Sequence, residues 1–228
     1  MSNVSARIAI VAALPREIAE LVRGVPADAA LRRRGIFLYR LPNAVVVAAG
    51  MGASRAQMAV EAALAEGGVE LMISAGLAGA CTPDLQAGDV AEAGIVVDGR
   101  SGTRYATAHG SDLVLVSAAA IASVREKARL SRNYLATMVD MEAATVARLA
   151  AEKSVPFRAI KGISDAHGFE LEGLSRFAGA NGEFRTAAFA LHTAVRPGTW
   201  GNAMQLGHNS KRALAALTAT LRQAIAQK

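Results

Sequence analysis

The sequence has one cysteine, Cys81, in 228 residues, which excludes an intramolecular disulfide and a C-x-x-C metal site. Aromatic side chains make up only 4% of it, too few for a stacking platform along single-stranded nucleic acid. The longest nearly uncharged run, 113–124, falls well short of the roughly 20 residues a membrane-spanning helix needs. The apolar run at 8–14 leads into Pro15-Arg16-Glu17 with no small-residue cleavage site behind it. It therefore reads as a strand rather than a signal peptide, and the expected location is the cytoplasm. Several catalytic signatures are absent too. No G-x-G-x-x-G follows a strand-like run, and neither G-x-x-x-x-G-K-[ST] nor G-x-S-x-G occurs, so a dinucleotide fold, a P-loop enzyme and an α/β-hydrolase lose support. His109, His167, His192 and His208 are scattered without ligand spacing, and no metal site is expected.

The chain is 52% hydrophobic, with charges of both signs interspersed, which argues against disorder. At roughly 150 residues per domain the length favours one large domain, able to bury roughly 70% of its unfolded surface without a staple. The net charge of +6 is spread out except at Arg32-Arg33-Arg34. It suits anionic lipid, a phosphate-bearing ligand or plain solubility equally, and nucleic acid is not an expected partner.

Short apolar runs alternate with helical patterns. Strands are predicted at 6–14, 69–75, 91–97, 113–117, 134–141 and 156–164, with a hairpin from 35–41 and 44–49. Helices are predicted over 16–23, from a Ser54 cap through Glu66, and over 123–133, 142–153, 186–195 and 210–227. The aromatic and apolar residues Phe184, Phe189, Trp200 and Met204 read as packing. This alternation predicts an α/β layered domain with a mostly parallel sheet.

In such sheets ligands sit beyond the carboxyl ends of the strands. Glu17 follows the first strand, Gly76–Gly79 a middle one, Asp140-Met141-Glu142 a later one, and Ser164-Asp165 the last. Glu17, Glu142 and Asp165 could converge on one crevice and do acid–base work on a neutral polar substrate. Each also has a plainer reading. Glu142 opens a helix, where a carboxylate gains about 0.3–1 kcal/mol from the helix dipole, and Asp165 could simply cap a loop.

Taken together, these segments resemble the nucleoside phosphorylase and nucleosidase family. VDMEAATVARLAAEKSVPFRAIKGISDAHG (139–168) is similar to that family's V-E-M-E-A…VPF…ISD core. IAIVAALPREIAEL (8–21), VVVAAGMGASRAQMAVEAAL (45–64), ISAGLAGA (73–80) and AGDV (87–90) resemble further family units in the right order. The resemblance implies a three-layer α/β/α fold around a mixed, partly barrel-like sheet. It implies that Asp165 donates a proton or hydrogen bond to the purine N7, and for that its pKa would be raised or its proton shared. Glu142 would grip the two ribose hydroxyls, Met141 would pack under the sugar, and Glu17 would hold the nucleophile. No metal or organic cofactor is implied, and a homodimer is expected.

The sequence departs from the methylthioadenosine/adenosylhomocysteine nucleosidases at the base and nucleophile side. Leu77 stands in their G-S-A-G-G turn, here Gly76-Leu77-Ala78-Gly79, and Ile121 stands where an aromatic residue would stack on the base. Lys161 replaces an arginine before Ser164-Asp165, and with Arg16 it could hold inorganic phosphate as a co-substrate, although Glu17 would repel one. Water or phosphate as acceptor stays open. The tail GANGEFRTAAFALHTAVRPGTWGNAMQLGHNSKRALAAL (179–217) resembles the hopanoid-associated subgroup, whose members release adenine from adenosylhopane. The expected partner is thus an adenine nucleoside, lipid-linked in the hopanoid reading, with peripheral contact at the inner membrane face. Segment 179–228 would be a subgroup-specific helical addition to the single domain 1–228. The alternatives are a methylthioadenosine-type nucleosidase, a general purine nucleoside phosphorylase, or a non-catalytic nucleoside binder.

Overall fold

The computed structural model describes residues 7–170 and 200–227. Strand β1 (Arg7–Ala12) is followed by the one-turn helices α1 (Pro15–Ile18) and α2 (Ala29–Arg32), then by the hairpin β2 (Phe37–Arg40) and β3 (Ala44–Ala48). Helix α3 (Ala53–Ala65) leads into the long strand β4 (Val69–Ala80), and β5 (Val90–Ala93), β6 (Ile95–Asp98), β7 (Arg104–Ala106) and β8 (Val114–Ser117) come next. Helix α4 (Val124–Tyr134), β9 (Met138–Asp140), α5 (Ala143–Glu152), β10 (Phe157–Asp165) and α6 (Trp200–Ala226) complete the order.

The two-residue period of a strand sends successive side chains to opposite faces, and β1 shows what that does here. Ala9 and Val11 join a core with Ala56, Ala59, Val60 and Ala63 of α3 and Ala147 and Ala150 of α5. Ile8, Ile10 and Ala12 join the opposite core with Ile18 of α1 and Leu217 and Leu221 of α6. A strand covered on both faces must be apolar at each position, which is why IAIVA reads as a continuous run. Burying each isoleucine or leucine contributes about 1.5–3 kcal/mol. The result is a sheet flanked by helices on both faces.

That sheet is mixed rather than mostly parallel. Its ten strands follow the order β2-β3-β1-β4-β9-β8-β6-β7, with β10 alongside β4 and β5 alongside β10. Strand β1 runs parallel to β3 and β4, β10 parallel to β4, and β8 parallel to β6 and β9. The pairs β2–β3, β4–β9, β5–β10 and β6–β7 are antiparallel. The sheet forks at β4, which pairs with β10 from Met72 to Gly79 while its end, Gly79 and Ala80, pairs with β9.

The fork explains the main departures from sequence expectation. Strand β4 does not stop at Ala75, because Lys161–Asp165 of β10 lie beside Gly76–Gly79 and supply a ladder through the glycines. The run 91–97 is two strands, broken at Gly94, where a Cβ atom would sit 1.6 Å from the Ser111 carbonyl oxygen. The helix expected over 16–23 is one turn long, since the Leu21 and Val22 N–H groups both bond to the Ile18 carbonyl. Helix α3 starts at Ala53 behind Gly52, leaving Ser54 inside its first turn rather than at the cap. Leu135, in the left-handed conformation at φ 59°, ends α4 and delays the next strand to Met138. Strand β7 lies in the polar, glycine-containing segment 98–111, where no element is predicted, and α6 begins at Trp200 instead of Ser210. Met204 is 73% exposed and does not pack. The helix expected over 186–195, with Phe184 and Phe189, lies outside the described residues.

Candidate active site

The polar residues expected at strand ends come together in one cleft of about 170 Å³. Glu17 reaches it from α1, Leu77, Ala78 and Gly79 from β4, and Asp140, Met141 and Glu142 from the β9–α5 junction. Ser164 and Asp165 arrive on the end of β10, and Ala120, Ile121, Ala122 and Lys127 come from the start of α4 and the segment before it. Arg16 of α1 and Leu206 and Ser210 of α6 complete the lining. Lys161 and Gly76 are not part of the lining.

Glu17 is buried and tightly held. Its Oε2 accepts hydrogen bonds from the N–H groups of Ala13 at 3.0 Å and Leu14 at 2.9 Å, and its Oε1 accepts one from Leu77 N–H at 3.2 Å. An ionised carboxylate offers about four lone-pair sites, so roughly one acceptor position remains for a ligand. Gly76 makes room for this side chain. A Cβ atom there would lie 2.9 Å from Glu17 Oε2, and the backbone stands at φ +127°, a region that L side chains rarely enter.

Glu142 stands just before α5, and its Oε1 accepts a 2.7 Å hydrogen bond from the N–H of Gly52 at the start of α3. Burial first, and next the negative charge of Asp140, push its carboxyl from the ordinary 4.5 up to about 8; Lys161 and the Gly52 N–H work in the opposite direction. Met141 lies beside it and lines the same wall.

Asp165 is 3% exposed at the end of β10. Ser164 Oγ donates to its Oδ1 at 2.5 Å and lies 3.2 Å from the Ala78 carbonyl. The Lys127 ammonium forms an ion pair with Oδ2. Gly79 opens space for this pair, since a Cβ there would come 2.9 Å from Asp165 Oδ2 and 3.1 Å from Lys127 Cε.

Sequence reasoning missed Lys127 and the part played by Asp140. Asp140 Oδ2 pairs with Lys161 Nζ at 2.9 Å and accepts from Ala143 N–H at 3.0 Å, while Oδ1 accepts from Ser117 Oγ at 2.6 Å. Lys161 also donates to Ser74 Oγ at 2.9 Å. Its ammonium is thus committed within the protein and 1% exposed, behind the residues that line the cleft. Ile121 lines the cleft, and Leu77 contributes both a wall and an N–H group. Among the described residues no cluster of three histidine, cysteine or acidic side chains is arranged to hold a metal ion. No helix among them is long and apolar enough to cross a membrane.

This architecture, a forked mixed sheet between helical layers with acidic groups at its strand ends, defines a nucleoside phosphorylase/hydrolase-like α/β fold. The family model described as "Phosphorylase superfamily" matches residues 7–111 and 112–195, and the chain belongs to that superfamily. No curated protein matches the sequence at a significant level. Among solved structures, futalosine hydrolase of Helicobacter pylori is similar at a TM-score of 0.71 and 17% identity, with 100% of each chain covered. The 5′-methylthioadenosine/S-adenosylhomocysteine nucleosidase of the same organism has a TM-score of 0.70 at 17% identity, covering 98% of this chain and 99% of its own. The S-adenosylhomocysteine nucleosidase of Streptococcus pyogenes has a TM-score of 0.60 at 18% identity, over 73% of this chain and 87% of its own.

Proposed function

We propose that this protein cleaves the N-glycosidic bond of a 5′-substituted adenosine and releases adenine, with adenosylhopane as the substrate. The observation that carries the reading is that Glu17, Glu142 and Asp165, far apart in sequence, line one cleft. Superfamily membership supports it, as does the similar Helicobacter pylori nucleosidase solved with 5′-methylthioadenosine in its active site.

In this reading Asp165 meets the base, where neutralising the leaving group is what lets it depart. Glu142 in its ionised form takes the ribose diol, a pair of donors suited to an acceptor-only carboxylate; each such charged hydrogen bond contributes roughly 1.5–3 kcal/mol. Glu17, with about one acceptor position left, orients the incoming nucleophile. The negative charge of Glu17 also favours the ribosyl cation that develops as the bond breaks, and Glu142, whose carboxyl is raised to about 8, adds to it in its ionised form. Met141 packs against the sugar. No metal or organic cofactor enters the scheme.

The lipid-linked 5′ group rests on the resemblance of the 179–217 tail and on the net charge of +6. A second reading, a methylthioadenosine/adenosylhomocysteine nucleosidase, is favoured by similarity over nearly the whole length to an enzyme of that name. The deciding experiment measures adenine release from adenosylhopane, methylthioadenosine, adenosylhomocysteine and adenosine, each with and without inorganic phosphate. Turnover of adenosylhopane alone supports the first reading, and rapid cleavage of the thio-nucleosides replaces it with the second. Phosphate dependence identifies the acceptor. Tight nucleoside binding without turnover of any of them reduces the protein to a binder.

A further inference from the structure

We propose that Lys127 is the proton source for base departure, acting through Asp165. The inference rests on the glycosidic-cleavage reading and adds to it a residue outside the trio.

The reaction creates a specific need. A purine leaves well only when a nitrogen of its ring gains a proton as the bond breaks. Asp165 is the acid expected to meet the base, yet here its Oδ2 is ion-paired to a buried ammonium. In such a pair the carboxylate is acceptor-only and the transferable protons sit on nitrogen. Lys127 is 1% exposed, and Nζ also donates to the Ala166 carbonyl at 3.0 Å and lies 3.4 Å from the Phe169 carbonyl. The ammonium is thereby fixed between α4 and the exit of β10, and it reaches the cleft wall. Burying an ion pair is poor value for stability alone, since an apolar pair of similar volume often does as well or better. The glycine at position 79 keeps the space that the pair requires.

The step balances as follows. The C1′–N bond breaks with its electron pair on the base. A proton passes from Lys127 Nζ to the Asp165 carboxylate and from there to the base nitrogen. Neutral adenine, a ribosyl cation, a neutral amine and an ionised Asp165 result. The nucleophile then adds at C1′. When it is water, the proton it loses restores the ammonium.

Lys127 is therefore a positioning residue with a proton to give, and two substitutions separate that role from simple charge pairing. Lys127→Met removes both. Lys127→Arg keeps the positive charge, but a guanidinium does not deprotonate in proteins. Both variants are expected to lose ~10²-fold or more in adenine release, the scale of general acid catalysis. Both should keep hydrolysis of 4-nitrophenyl β-D-riboside, whose phenolate leaves without a proton, within about threefold of wild type. Thermal unfolding checks that each variant is folded, and Lys127→Arg carries the test if the methionine variant is not. Adenine release by Lys127→Arg near the wild-type rate overturns the proposal, and so does an equal loss on both substrates. Failure of the wild type itself to release adenine from any nucleoside overturns instead the glycosidic-cleavage reading.

Discussion

Replacing Glu142 by glutamine should stabilise the protein by an amount that grows with pH while removing most of its activity. Burial, followed by the charge of Asp140, raises this carboxyl from 4.5 to about 8. Between those values the native state holds a proton that the unfolded chain has already released. Stability contributed by the group is therefore complete below about 4.5, declines as pH rises, and is gone once pH has passed through about 8. For one proton the slope is at most about 1.36 kcal/mol per pH unit. Glutamine has no such proton, so the gap between variant and wild type should widen from pH 5 to pH 8 and level off by pH 9. In a domain of this size a full slope moves the unfolding midpoint by roughly 3–5 °C per pH unit. Calorimetric midpoints of both proteins at unit pH intervals would read it. A constant gap, or one that is largest at pH 5, would refute the argument that the folded site penalises this charge. In the proposed reaction adenine release should fall at least about tenfold above pH 8, where the wild-type carboxyl is ionised, because its charged hydrogen bonds to the diol are lost.

Gly76→Ala should cost about 1–3 kcal/mol from the strained backbone alone. It should also lower kcat sharply, since the added carbon lies 2.9 Å from Glu17 Oε2. An unchanged kcat in a folded variant would show that the placement of Glu17 is immaterial to turnover. The thiol of Cys81 is pushed up to about 12, chiefly by burial and against the nearby Lys127 charge. It should resist a disulfide reagent at pH 8 until the protein unfolds, and rapid labelling of the native protein would contradict that environment.

Much of this was legible in the sequence where one local rule dominates. The IAIVA run, the 113–117 run and the strand ending in Ser164-Asp165 are short, apolar and bounded, and the structure has strands there. Position after a strand suggests that Glu17, Glu142 and Asp165 could converge, because strand ends deliver side chains to one edge of the layers, and all three line one cleft. Lys127 was less accessible. It stands in VREKARLSRNY among Arg125, Glu126, Arg129 and Arg132, where a lysine looks solvated. The usable signal was spacing. Leu130 lies three residues on, so the helix face that buries it also buries Lys127. Gly76 and Gly79 misled in another way, because their purpose is visible only once Glu17, Asp165 and Lys127 are placed against them.

The same charges bear on the proposed reaction. Of the carboxylates lining the cleft, Asp140 is paired with Lys161 and Asp165 with Lys127. Glu17 and Glu142 are held instead by backbone N–H groups, which fix an oxygen without cancelling a full charge. A site built for stability alone would pair or bury none of them. Uncompensated negative charge is useful where positive charge appears transiently, and in glycosidic cleavage that place is the sugar. The elevated pKa of Glu142 reflects the stability cost of ionising it there, and below about 8 the folded protein keeps that proton. Glu142→Gln should recover stability and forfeit activity in the same substitution, and Lys127→Arg should preserve a charge and still fail at the base.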